Sequence, residues 1–245
     1  MPVLQAMSHL KTRIEARCGG RAIDAGARAR IEQVLDAIPI DYGGGCSAIK
    51  AFALADLVTA EHLTDFVEVG VYRGRCLLSV AAAFSALRRG KAVGIDPYTV
   101  ADALQDDTHH VGVAVNEWAR AFDWEGLHSE VSETIDALGL GGRCQLWRTT
   151  SQQAASRFPD CSIDMVHIDG NHDRAAVEDD IDLYLPKLRP GGFVILDDVS
   201  WESIRPAYLR MLDRAELVFQ FFDGRSLGVH DGVGNDFAIF RLTGP

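Results

Sequence analysis

Between Asp65 and Asp198 the chain alternates short apolar runs with helical stretches five times, and this rhythm limits the fold more than any other feature. The runs are Phe66-Val-Glu-Val-Gly70, Ala92-Val-Gly-Ile-Asp96, Arg143 to Arg148, Ile163 to Ile168 with Asp169 behind it, and Phe193-Val-Ile-Leu196 followed by Asp197-Asp198. Runs this short and this apolar suit strands buried on both faces. Between them lie an alanine-rich helix from Arg75 to Arg89 with Gly90 at the cap, a helix from Leu127 to Leu138, one from Ser151 to about Phe158, and one from Arg174 to Leu188 stopped by Arg189-Pro-Gly-Gly192. Repeated strand–helix alternation predicts an α/β fold with a mostly parallel sheet and helices on both faces. After a helix around Ser203 to Leu212, the segments Leu217–Phe222 and Phe237–Leu242 read as a C-terminal antiparallel hairpin. Ligands bind such sheets at the carboxyl ends of the strands.

The first 45 residues read as an N-terminal helical cap, with Ile23, Ala27, Ile31, Leu35 and Ile38 near helical spacing. Pro39 and Gly43-Gly44-Gly45 end it, and Ser47 is placed as the N-cap of a second helix reaching about His62. Residues 46–245 form the main domain. Its polar stretch at about 99–126 is too long for a simple connection and reads as a lid-like insert.

Charge narrows the partners. Asp and Glu number 35 against 24 Lys and Arg, a formal net charge of −11. Nucleic-acid binding needs a basic surface, so no nucleic acid is expected as partner. The five cysteines are scattered without a C-x-x-C pair, which fits free thiols in the cytoplasm. No apolar stretch reaches membrane-span length and no signal peptide is visible, so no membrane is expected either.

Two constellations sit at strand ends. The first is Glu68-x-Gly70-x-x-x-Gly74 with Asp96. Glycines here allow a tight turn and close approach of backbone to a ligand, and a carboxylate ending the second strand can accept ribose hydroxyl protons. A dinucleotide site would want a third glycine to seat a pyrophosphate. Val71-Tyr72-Arg73 stands between the two glycines instead, which favours a nucleoside without phosphates and disfavours an NAD-dependent dehydrogenase. A glycine turn without any ligand is the other reading open here.

The second constellation is Asp169, Asp197 and Asp198. Neighbouring strands lie ~4.8 Å apart, so the three carboxylates crowd together and raise one another's pKa unless a cation intervenes. An oxygen-rich site of this kind suits Mg²⁺ or a similar divalent cation. Taken alone, Asp197-Asp198 is equally a solvated strand end or a helix cap.

Glu68-Val-Gly-Val-Tyr-Arg-Gly74 and Gly94-Ile-Asp96-Pro-Tyr98 resemble the first two S-adenosylmethionine (SAM) motifs of class I methyltransferases. The resemblance implies a Rossmann-like seven-stranded sheet ending in a hairpin. It places Glu68, Gly70, Tyr72 and Gly74 at the cofactor, with the two glycines along the methionine moiety, Asp96 on the ribose and Ser151 near the adenine. Val166-His-Ile-Asp-Gly-Asn-His-Asp173 and Leu188-Arg-Pro-Gly-Gly-Phe-Val-Ile-Leu-Asp-Asp198 are similar to one branch in particular. That branch comprises the macrocin-type and novobiocin-type sugar O-methyltransferases and a mycobacterial mannoside O-methyltransferase, which use a metal to hold the acceptor hydroxyl. The likeness spans roughly residues 48–242 and is weak in 1–45 and 99–130, where acceptor specificity should lie.

The implied function is SAM- and Mg²⁺-dependent O-methylation of a hydroxyl on a small-molecule acceptor, a sugar or glycosylated natural product. N-methylation of an aminosugar-like amine is the alternative, and a non-catalytic SAM-binding regulator is disfavoured by the carboxylate cluster. The assembly is expected to be a homo-oligomer. Methyl transfer to oxygen needs a base. Several members of the branch place an aspartate two residues after the first metal ligand, where this chain has Asn171. His172 follows, with an ordinary pKa of ~6.5 suited to the task. It is read either as the general base, with Asp173 orienting it, or as a cap of the helix near Arg174. His167 reads as a satisfied core residue, and Trp118, Phe122 and Trp124 as lid packing or a sugar platform.

Overall fold

A buried parallel strand presents successive side chains to two different helical layers, and the chain follows that alternation closely. The computed structural model describes residues 23–38, 46–107, 115–221 and 236–243. The strands are β1 (Asp65–Val69), β2 (Lys91–Ile95), β3 (Cys144–Trp147), β4 (Ile163–Ile168), β5 (Leu188–Asp197), β6 (Ala215–Phe221) and β7 (Phe237–Leu242). They form one seven-stranded sheet of order β3-β2-β1-β4-β5-β7-β6. The first five strands pair in parallel, and β7 runs antiparallel between β5 and β6. This is the expected α/β architecture with its terminal antiparallel pair.

The helices are α1 (Ala25–Ala37), α2 (Ala48–Ala60), α3 (Arg75–Leu87), α4 (Val100–Ala103), α5 (Val115–Ala121), α6 (Trp124–Ala137), α7 (Ser151–Ala155), α8 (Arg174–Tyr184) and α9 (Arg205–Arg214). Phe66, Ala92, Met165, Phe193 and Ile195 turn to a core shared with α1, α2, α3 and α6. Val67, Val93, Val166, Ile168, Val194 and Leu196 turn to a second core shared with α7, α8 and α9. The period of two therefore decides which side chains at the strand ends meet. Glu68, His167, Asp169 and Asp197 all have the parity of the first core, so they project toward α2 and α3.

Ser47 caps α2 as expected, its Oγ accepting from the Lys50 amide at 3.1 Å. Ile31 and Val34 of α1 lie in the same buried cluster as the sheet residues. The cap is thus packed into the first core where it is described, while the helical reading of 1–22 lies outside the described residues. The insert is more regular than its polarity implied. It holds α4 and α5, and α6 begins at Trp124 rather than Leu127, because the Asp123 carboxylate caps it by accepting from the Gly126 amide at 3.0 Å. His109, His110 and the Gly-rich hairpin loop lie outside the described residues. No helix among the described residues is long and apolar enough to cross a membrane.

One glycine fixes the geometry at the centre of the sheet. Gly70 has φ +83°, and a Cβ there would lie 2.0 Å from the Asp169 carbonyl oxygen. Both strain and a backbone clash oppose any side chain. Gly70→Ala is expected to lower unfolding free energy by about 3 kcal/mol or more, read from urea denaturation. A change below ~1 kcal/mol would show that the turn relaxes freely.

Candidate active site

The glycine turn joins β1 to α3 and is held by Asp96. Asp96 Oδ2 accepts from the Val71 and Tyr72 amides, each at 3.0 Å, and Oδ1 accepts from the Tyr98 amide at 2.8 Å. The Tyr98 hydroxyl donates to the Tyr72 carbonyl at 3.0 Å. Asp96 thus stands at the end of β2 as expected, but it has a structural duty that motif spacing does not reveal. Burial raises its pKa, and the three amide bonds oppose that rise. Each carboxylate oxygen has two lone-pair directions, so Asp96 keeps acceptor capacity beyond these amides. Gly74, φ +77°, occupies the N-cap of α3 without a side-chain cap, which leaves first-turn amides open to an anionic group such as a carboxylate.

Tyr72 does not stand alone at the turn. Its ring lies 5.5 Å from those of Trp118 and Phe122, and Trp118 and Phe122 each lie 5.4 Å from Trp124. These aromatics pack the insert onto the glycine turn. The insert is also pinned from β4. Asn171 Nδ2 donates to the Leu104 carbonyl at 2.8 Å, and the Asp173 carboxylate accepts from the Asp106 and Asp107 amides. Asn171 therefore has a donor role that an aspartate could not fill. Asp173 thus spends its hydrogen bonds on the insert, while its charge still acts on His172. Asp173, not His172, stands at the N-cap of α8.

Ser151 opens α7 as predicted. Its side chain hydrogen-bonds Asp180 of α8, and its carbonyl accepts from the Tyr184 hydroxyl at 3.0 Å.

The acidic centre contains a residue the sequence reading passed over. Lys50, on α2, is fully buried, and its Nζ donates to Asp197 Oδ2 at 2.5 Å and lies 3.8 Å from Asp169 Oδ2. Burial alone would lower the lysine pKa, but Asp197 and Asp169 outweigh it and hold the ammonium charged. Burial likewise works to raise the Asp197 pKa, but Lys50 outweighs it and brings the group down to about 2. Asp169 and Asp198 go the other way, raised by burial and then by the Asp197 charge. One ammonium therefore does not balance three carboxylates.

His167 is more than a core residue. Its Nδ1 lies 2.8 Å from Glu68 Oε1, and its Nε2 lies 3.7 Å from Asp169 Oδ2. Glu68 thus backs the acidic centre through an imidazole. The donor atoms of His167, Asp169 and Asp197 lie within 4.8 Å of one another. His167 Nε2 and Asp197 Oδ1 are buried without a hydrogen-bond partner. Donors of this kind, left unsatisfied beside uncompensated negative charge, fit a divalent cation.

Asp198, at φ +45°, turns its Oδ2 to within 3.3 Å of His172 Nε2, which is also 3.7 Å from Asp169 Oδ1. The His172 ring lies 4.8 Å from that of Trp201. Burial lowers the His172 pKa to about 4, against the pull of Asp197, so the ring is neutral at pH 7. All of Asp169, Asp197, Asp198 and His172 thus meet at one place.

With this geometry in hand, the comparisons with known proteins are specific. A family model described as a methyltransferase domain matches residues 67–199, more than half of the chain. The chain belongs to this methyltransferase-domain family. Among solved structures it is similar to the O-methyltransferase NovP, at 14% identity and TM-score 0.61, covering 89% of this chain and 99% of that one. It is also similar to the O-methyltransferase TomG from Streptomyces achromogenes, at 14% identity and TM-score 0.57, covering 90% and 91%. A third, the O-methyltransferase from Bacillus cereus in complex with SAH, has 14% identity and TM-score 0.56, covering 96% and 97%. These likenesses bear on the fold. A comparison with curated protein sequences gives no match.

Asp180 offers a pH test of the wall behind Ser151. Burial raises its pKa to about 6. The folded value lies above the unfolded value of ~3.9, so the folded state binds the proton more tightly. Stability is therefore greatest below about pH 4 from this group and is lost as pH rises through 6. Asp180→Asn should raise the melting temperature at pH 7.5 relative to the parent chain, and the gap should shrink on approaching pH 4.5. A gap that does not change with pH would refute the assignment.

Proposed function

We propose that this chain is a SAM-dependent O-methyltransferase acting on a hydroxyl of a small molecule, a sugar or glycosylated natural product, at a centre that takes Mg²⁺ or a similar divalent cation. The observation that carries this reading is the meeting of a neutral, buried His172 with Asp169, Asp197 and Asp198 directly beside the glycine turn. The titles of the similar structures, O-methyltransferases that include complexes with SAM and SAH, support the donor and the O-acceptor.

In this reading the turn Gly70–Gly74 and the open N-terminus of α3 receive the methionine part of SAM, Asp96 offers its remaining acceptor capacity to the ribose, and Ser151 stands near the adenine. Asp169 and Asp197, with His167 beside them and Asp198 adjacent, would hold the divalent ion. When bound, such an ion neutralises the carboxylates and lowers the pKa of a hydroxyl brought to it. His172 takes the acceptor proton at Nε2. Its ring is held by Trp201, and Asp198 and Asp169 stabilise the imidazolium that forms, as a carboxylate does beside a catalytic histidine. The methyl group moves in line from sulfur to the acceptor oxygen, which requires the two held at roughly 3 Å.

His172→Ala should lower turnover about 10²-fold or more while SAM affinity, measured by calorimetry, is kept. Unchanged turnover would remove His172 from the reaction. Chelation should abolish methyl transfer and added Mg²⁺ restore it. Full activity in chelator would end the metal part of the reading and leave the methyltransferase part standing.

A further inference from the structure

Among the described residues, Lys50 is the cation paired with the centre, and it arrives on α2 and not from a strand end. It sits on α2, a helix whose residues Ile49, Ala51, Phe52, Ala53 and Leu54 are buried around it. Burying an ammonium among apolar side chains is costly unless a carboxylate pairs with it. Its contacts are with Asp197 at 2.5 Å and Asp169 at 3.8 Å, two of the carboxylates that the divalent ion would use. The Asp197 oxygen that Lys50 leaves open, Oδ1, is the one buried without a partner. The arrangement holds Asp197 by one oxygen and presents the other.

We propose that Lys50 is a resident cation that competes with a divalent metal ion for Asp197 and Asp169, and so sets how tightly this centre binds metal. The proposal rests on the metal reading above. Two cations sharing one carboxylate repel each other strongly at low dielectric, so the ammonium weakens the site for a second positive charge. It also keeps the carboxylates together before metal arrives, since without it the buried Asp197 would lie beside Asp169 with no positive charge to hold it ionised. Lys50 is in this sense a positioning residue for Asp197 and not a group that touches the acceptor.

The test measures Mn²⁺ binding to the full chain by titration calorimetry and by electron paramagnetic resonance of free Mn²⁺, without substrate. Lys50→Met and Lys50→Gln should bind Mn²⁺ roughly tenfold or more tightly than the parent chain. Mn²⁺ should also raise the melting temperature of both variants more than that of the parent, a readout that survives if the variants are less stable. Binding by the variants with none by the parent overturns the proposal, since a centre the natural chain never loads has no metal affinity for Lys50 to set, and it ends the metal reading for the natural chain. Equal or weaker binding by the variants overturns the competition and leaves the metal reading intact. Absence of binding in all three chains overturns both.

Discussion

The structure depends on the solvation of buried charge at the carboxyl ends of β1, β4 and β5. Glu68, His167, Asp169 and Asp197 share the face that the strand period assigns to the α2 and α3 layer, where all but the partly exposed Asp169 are buried. Charged groups in such a place must be paired or must change protonation. The chain does both. Lys50 pairs with Asp197 and holds it ionised, while Asp169 and Asp198 are pushed toward the neutral form. That unevenness gives the site its chemistry: an ionised carboxylate, a neutral imidazole and unsatisfied donors lie together beside a turn built for a nucleoside.

How much of this was legible in the sequence follows from the range of each interaction. The sheet was readable because apolar runs and their spacing are local, and so were the glycine turn, the Ser47 cap and the crowding of Asp169 with Asp197-Asp198. The start of α6 was misplaced because the cap lies in Asp123, inside a stretch too polar to read as helical. The roles of Asp96, Asn171 and Asp173 were hidden because, apart from the nearby Tyr98 and Asp173 amides, their partners are backbone groups 24 to 69 residues away. No side-chain pattern records such bonds. Lys50 did leave a signal: it is a lysine inside Ala48-Ile-Lys-Ala-Phe-Ala-Leu, where every neighbour is apolar. A charge on a helix with no polar face requires a buried counter-charge.

Asn171 shows how one position can serve two demands. An acid there could not donate to the Leu104 carbonyl. The amide donates to the insert through Nδ2 and accepts from the Asp173 amide at 2.8 Å through Oδ1. In the proposed reading the proton-accepting duty falls on His172, the next residue, whose ring lies 4.8 Å from that of Trp201. Asn171 thus anchors the insert, and the proposed acceptance of a proton is left to its neighbour His172.

The two halves of the site are also locked to each other through backbone. Gly70 lies against the carbonyl of Asp169 and the Cα of Gly170, so the turn that would carry the methyl donor touches the segment that carries the acidic centre. The Asp169 amide donates to the Val69 carbonyl at 2.9 Å, continuing the β1–β4 ladder to that point. Asp96 fixes the other side of the same turn through the Val71 and Tyr72 amides. Methyl transfer depends on a donor–acceptor separation near 3 Å, and misplacement by 1 Å can cost about 10²-fold in rate. A rigid, side-chain-free contact between turn and strand end is the simplest way to hold that distance. It explains why the glycine that reads from sequence as room for a ligand is, in the folded chain, first of all room for Asp169.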